Sequence, residues 1–179
     1  MRPSGFHITL TCTPTQEPFD LPPVPATFAR ILTKYFAMSI PVIPAPFFTH
    51  TIALRWRDMD SYQHVNNSEY LTLCEEARIA WFRSLQGPWR SETAEPVIAR
   101  IELDYKKPLV HPANVIVSLS LDRLGNSSLS LHHTLSTDSD TTIYAVGKSV
   151  LVWTNPQTGR STPVPEFVRR SVQPGFYTA

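Results

Sequence analysis

One amphipathic stripe limits what this chain can fold into. Tyr70, Leu73, Cys74, Ala77, Trp81 and Leu85 recur at helical spacing, while Glu69, Thr72, Glu76 and Arg83 fall on the other side. Asn66 is a good N-cap and Glu69 follows three residues later, a capping-box-like pair that predicts a helix start at Asn67. Gly87-Pro88 ends it, because glycine tolerates the turn out and proline cannot continue the ladder. No other segment carries so clear a helical pattern.

The flanking segments alternate instead. His50 to Arg57 reads as a first strand with Ile52, Leu54 and Trp56 on one face. After the helix, Pro96 to Tyr105 sets Val97, Ala99, Ile101, Leu103 and Tyr105 against Arg100, Glu102 and Asp104. Val115, Val117, Leu119 and Leu121 mark a third strand; a turn at Gly125-Asn126 leads to a fourth with Leu129, Leu131, His133 and Leu135 in phase. Thr141 to Trp153 is apolar on both faces, as a strand deep in a sheet would be. Pro165 to Val172 suits a last helical turn or two. This order implies an α+β fold: one antiparallel β-sheet of about five strands wrapped around one long central helix. One helix cannot cover both faces of such a sheet, so a second copy is expected to cover the other face or an edge, as a homodimer or homotetramer.

Composition narrows the function. With 179 residues, 42% apolar and 17% charged, the chain can bury a single-domain core. Sixteen basic against fifteen acidic side chains form no Lys/Arg cluster, which argues against nucleic acid as a partner. No stretch reaches membrane-spanning length, and Phe6 to Leu10 is too short and polar for a signal-peptide core. Cys12 and Cys74 lack metal-ligand spacing, so no metal is expected and a cytoplasmic location is the default. Residues 1–49 hold nine of the seventeen prolines and read as an N-terminal extension, with a short amphipathic helix at 27–38, ahead of a domain over 50–179. Met38 offers an alternative start.

The polar residues gather just ahead of the helix. Arg55-Trp-Arg-Asp-Met-Asp60-Ser-Tyr-Gln-His64-Val-Asn-Asn-Ser-Glu-Tyr70 resembles the R-W-x-D-x-D-x-x-x-H-V-N-N-x-x-Y motif of hot-dog fold acyl-CoA thioesterases of the 4-hydroxybenzoyl-CoA-thioesterase-like branch. Glu75-Glu76-Ala-Arg78, Asp104-Tyr-Lys-Lys-Pro108 and Gly125-Asn-Ser-Ser128 add weaker support, and the resemblance covers about residues 50–172. It implies hydrolysis of an acyl-CoA thioester, with no cofactor beyond the coenzyme A carried by the substrate.

The resemblance also implies roles. Asp60 would be the catalytic carboxylate, as general base or nucleophile, and the Asn67 N–H would polarise the thioester carbonyl. The first-turn N–H groups at Asn67 and Ser68 lack intrahelical partners and lie at the positive end of the helix dipole. His64 is a helper that orients the carboxylate or positions water, or else a residue that pins the loop. Asp58 reads as a loop-fixing acid, Asn66 as a cap, and Cys74 and His133 as core.

Substrate contacts are expected from Tyr62, Ser68, Tyr70, Asp104, Lys106, Arg123 and Ser128, with Lys106, Lys107 and Arg123 near the nucleotide phosphates and Ser128 near the pantetheine. Tyr62 stands where acyl-carrier-protein thioesterases, whose motif is similar, use an asparagine. Gln63 stands where many acyl-CoA members have glycine. Acyl-carrier-protein thioesters, or binding of an acyl thioester or a partner protein without turnover, remain alternatives.

Overall fold

The computed structural model describes residues 44–173; the extension through residue 43, with its expected helix at 27–38, lies outside them. Five strands form one antiparallel sheet in the order β1-β3-β4-β5-β2: β1 Phe48–Ala53, β2 Glu95–Tyr105, β3 Asn114–Leu124, β4 Ser128–Thr137 and β5 Ile143–Thr154. Between β1 and β2 lies the long helix α1, Asn67–Ser84, and after β5 comes the short α2, Glu166–Ser171. This is the sheet with one long helix that the element order implies, and the hot-dog arrangement that the motif resemblance implies.

Alternation decides which strand face packs. Along β4, Leu129, Leu131, His133 and Leu135 are buried while their neighbours are half-buried, and β3 and β5 add Val115, Val117, Leu119, Ala145, Leu151 and Trp153. The α1 stripe of Tyr70, Leu73, Cys74, Ala77 and Trp81 is buried as its spacing predicts, and Arg78 and Phe82 join it. Rings fill the end of the core near the C-terminus of α1: Phe82 stacks between Trp81 and Trp89 and meets Trp153 edge-on. The Trp153 indole N–H donates to the Trp89 carbonyl (3.1 Å), so the largest side chain on β5 carries no unpaired donor.

Two features differ from the sequence reading. β1 begins at Phe48, ahead of residue 50, and ends at Ala53 rather than Arg57. Trp56 is therefore not on a buried strand face; it is 81% exposed, on a 3-10 turn over Trp56–Asp58. The other is β2, whose alternation suggests a buried face. It lies at the sheet edge, with Val97 and Ile98 exposed and only Ile101 and Leu103 among its central residues half-buried.

The core also holds polar groups. The His133 Nε2 lies 2.7 Å from Ser149 Oγ, while its Nδ1 and the Arg78 Nη1 are buried with no hydrogen-bond partner among the described residues. Burial first, then the Arg78 and His132 charges, lowers the His133 pKa to about 3. An unfolded histidine takes up its proton near ~6.5, so the unfolded chain binds more protons than the folded one between these values. Stability therefore falls as pH drops from about 6.5 towards 3, by up to ~1.4 kcal/mol per pH unit. Denaturant unfolding at stepped pH should show this slope, and His133→Gln should flatten it in that window. Wild-type stability that is flat over the same range would contradict the assignment.

Candidate active site

The turn after β1 is closed by one acid. Asp58 is buried; its Oδ2 accepts the Arg55 backbone N–H (2.8 Å), its Oδ1 accepts Arg55 Nε–H (2.9 Å), and its carbonyl accepts the Asn66 N–H (2.8 Å). Asp58 thus joins the end of the first strand to the start of α1, as expected of a loop-fixing residue. The Asn66 N–H goes to Asp58, so the capping box is not reciprocal: the Glu69 carboxylate lies instead 3.7 Å from Arg55 Nη2. Asn66 does cap the helix, its Oδ1 accepting both the N–H (2.9 Å) and the hydroxyl (2.8 Å) of Ser68.

Inside this closure the backbone curls around Asp60. Its Oδ1 accepts the N–H groups of Tyr62 (2.8 Å) and His64 (3.3 Å), and its own N–H donates to the His64 carbonyl (2.7 Å). Such an Asx turn holds the carboxylate still. Oδ1 is committed to the loop, while Oδ2 has no hydrogen-bond partner among the described residues. The curl requires a left-handed residue, and Gln63 supplies it at φ 61°, a conformation that glycine adopts without a Cβ penalty.

Asp60, His64, Val65, Asn67 and Tyr70 form one wall of an open cleft of about 350 Å³, and Tyr105, Lys106, Lys107 and Pro108 form the other. The Asn67 N–H has no acceptor among the described residues. The Ser68 N–H, expected beside it as a second donor, is occupied by the cap. Within the cleft the walls are tied together: the Tyr105 hydroxyl donates to the Asn67 carbonyl (3.1 Å), the Leu109 N–H donates to the Tyr70 hydroxyl (3.1 Å), and the Tyr70 and Tyr105 rings meet edge-on at 5.0 Å. Burial raises the Tyr70 pKa, only partly offset by the Leu109 bond, so its phenol stays protonated.

The remaining predicted contacts scatter. Asp104 stands next to the cleft and reaches Lys106 Nζ at 3.5 Å, whereas Tyr62 points out at 80% exposure and does not line it. Arg123 and Ser128 sit at the far end of the sheet. Tyr105 pairs with Ala145 on β5, Ser128 with Val152 and Arg123, through Ser130, with Val150. At about 3.3 Å per residue, the steps from Ala145 to Val150 and Val152 are roughly 17 and 23 Å. Neither side chain joins Asp60 within one chain. Cys74 is core: burial pushes its thiol up to about 12, so no thiolate forms there. Among the described residues, no group of three or more His, Cys, Asp and Glu side chains could hold a metal ion, and no helix is long and apolar enough to cross a membrane. Tyr105 itself was not singled out by sequence reasoning; its one signal is that it ends an alternating strand directly before the lysines.

Residues 54–172 match the family model of the thioesterase-like superfamily. Among solved structures, the PA2801 protein of Pseudomonas aeruginosa, a thioesterase candidate, is 44% identical with a TM-score of 0.68, over 72% of this chain and 100% of that one. XC229 of Xanthomonas campestris, an acyl-CoA thioesterase candidate, is 39% identical with a TM-score of 0.60, over 65% and 100%. A thioesterase of Thermus thermophilus solved with coenzyme A and zinc is 34% identical with a TM-score of 0.60, over 71% and 92%. The uncharacterized protein YsmA of Bacillus subtilis (strain 168) is 26% identical over 86 residues, and the match spans 58% of its length.

The left-handed turn at Gln63 gives a direct test of the loop. Gln63→Gly should leave the melting temperature within about 3 °C and keep the Asp60 curl, because relief of strain offsets the extra freedom of the unfolded chain. Gln63→Val should lower stability by roughly 1–2 kcal/mol, since a β-branched side chain resists positive φ. Equal melting temperatures for the two variants would refute this backbone account.

Proposed function

The chain belongs to the thioesterase-like superfamily, and with thioester hydrolysis as that premise we propose that it cleaves an acyl-CoA to the free acid and coenzyme A. One observation carries the reading: a carboxylate oxygen and a helix N–H, neither with a partner among the described residues, border the same cleft as two lysines.

A thioester carbonyl seated at the start of α1 would accept the Asn67 N–H. Negative charge that develops on that oxygen is stabilised by the donor and by the positive end of the helix dipole. Asp60 Oδ2 serves on the carbon side. As a general base it takes a proton from attacking water; as a nucleophile it forms a mixed anhydride that water then hydrolyses. Either route expels the coenzyme A thiolate, which is protonated by solvent or a neighbouring acid. Because two N–H groups fix Oδ1, Oδ2 keeps one direction throughout, which is the pre-organisation such a step needs. His64 lines the same wall, and in this reading it helps by orienting the carboxylate or holding the water. Lys106 and Lys107 on the opposite wall suit the phosphates of coenzyme A. No cofactor is required.

Assembly follows from the edge. β2 presents exposed Val97 and Ile98 beside backbone groups with no strand partner among the described residues, an edge that isolated sheets normally protect. We assign its cover to a second copy in a homodimer or homotetramer, and the free, buried Cys74 fits a reducing cytoplasm.

Free thiol release from a panel of acyl-CoAs, with coenzyme A binding measured in parallel, tests the function. Wild type should turn over at least one chain length. Asp60→Asn should lose about 10²-fold or more in kcat while its circular dichroism and coenzyme A affinity persist. Binding without thiol release on any acyl group would reject hydrolysis, and unchanged turnover in Asp60→Asn would reject the carboxylate's role.

A further inference from the structure

We infer that Tyr105 is a positioning residue for this reaction, acting through its hydroxyl on the first peptide units of α1; the inference rests on the hydrolase reading above. Tyr105 closes the edge strand β2, immediately before Lys106 and Lys107, so it belongs to the wall opposite Asp60. Its hydroxyl donates to the carbonyl of Asn67, 38 residues earlier in the chain. That carbonyl and the Asn67 N–H flank one α-carbon, so an anchor on the first restrains the direction of the second. Asn66 restrains that carbonyl's own peptide unit from its other end by accepting the Ser68 N–H. Both bonds fall on the 67–68 peptide unit, held from the strand side by Tyr105 and from the loop side by the cap; across the Asn67 α-carbon they restrain the donor unit 66–67, whose own carbonyl accepts the Glu69 N–H (2.9 Å).

Tyr70 makes the opposite tie. Its ring leaves α1, and its hydroxyl accepts the N–H of Leu109 at the end of the lysine segment. Each tyrosine therefore bonds the backbone of the other's wall, and their rings are in edge-on contact between the two bonds. Val65 adds a third link, its N–H donating to the Leu109 carbonyl (2.9 Å). Tyr70 and Val65 are buried and Leu109 fully so, which makes their side of the clasp rigid. Tyr105 is 46% exposed, and among the described residues its hydroxyl is the one side-chain tie that ends on the donor residue itself. A strand-end tyrosine thereby sets the aim of the Asn67 N–H, and its ring fixes the width of the cleft.

Tyr105→Phe deletes the hydroxyl and keeps the ring. Steady-state kinetics on the best acyl-CoA should show kcat lowered roughly 3- to 10-fold, the span of one hydrogen bond of ordinary net strength, with KM changed less than about 2-fold. The melting temperature should stay within about 2 °C, since the bond is exposed. Hydrogen–deuterium exchange of the 64–70 segment in the coenzyme-free protein should accelerate in the same variant. A fall in melting temperature that accounts for the lost activity would make Tyr105 merely structural, and unchanged kcat with unchanged exchange would overturn the inference. If wild type releases no thiol from any acyl-CoA, the hydrolase reading fails by itself. Exchange then decides the clasp alone: faster exchange in Tyr105→Phe supports it, and equal exchange refutes it.

Discussion

The Asp58 carboxylate is the constraint on which the site depends. It is buried, so it cannot be left without partners, and it finds them in the backbone and guanidinium of Arg55. Taking the Arg55 N–H bends the chain out of the sheet into the 3-10 turn, and the Asp58 carbonyl then fixes Asn66 where it can cap α1. The loop from Met59 to Val65 is left as a short closed excursion. Within it Asp60 organises its own turn, and the oxygen not used for that purpose is the one available for chemistry. Two aspartates two residues apart thus differ by burial: Asp58 is buried as scaffold, and Asp60, half-buried at the cleft, is the reactant in the proposed function.

The second wall comes from the sheet. β2 has few side chains to bury, and its C-terminal residue is a tyrosine whose hydroxyl crosses to the helix start. Local sequence at 56–70 and long-range pairing of β2 with β5 therefore meet at the cleft. Neither alone would hold a carboxylate, a peptide donor and two lysines around one volume. Away from the cleft, Arg78 and His133 are buried in the core, where burial keeps His133 neutral.

Much of this is legible in the order of residues alone. The cap at Asn66, the helix from Asn67 and the phases of β3, β4 and β5 follow from local spacing, and local spacing is what short-range physics reads. The role of Asp58 is legible too, because a carboxylate at a strand end seeks nearby N–H groups. The end of β1 is not: alternation continues through Trp56, and only the pull of Asp58 on Arg55 breaks the ladder. Glu69 has capping-box spacing, but the Asn66 N–H it would accept goes to Asp58. The distance of Arg123 and Ser128 from the cleft is set by strand register, and a pattern of residues does not carry register. Tyr105 escapes notice for the same reason, since its partner is 38 residues away.

In the proposed function, Asn67 N–H and Asp60 Oδ2 act on one carbonyl. A crystal structure with a coenzyme A analogue in which methylene replaces the thioester sulfur, leaving a stable ketone, tests it most directly. The ketone oxygen should lie about 3 Å from the Asn67 nitrogen, with Asp60 Oδ2 facing the carbonyl carbon directly or through one water. A ketone seated elsewhere, or one whose oxygen meets no N–H of the helix start, would contradict it.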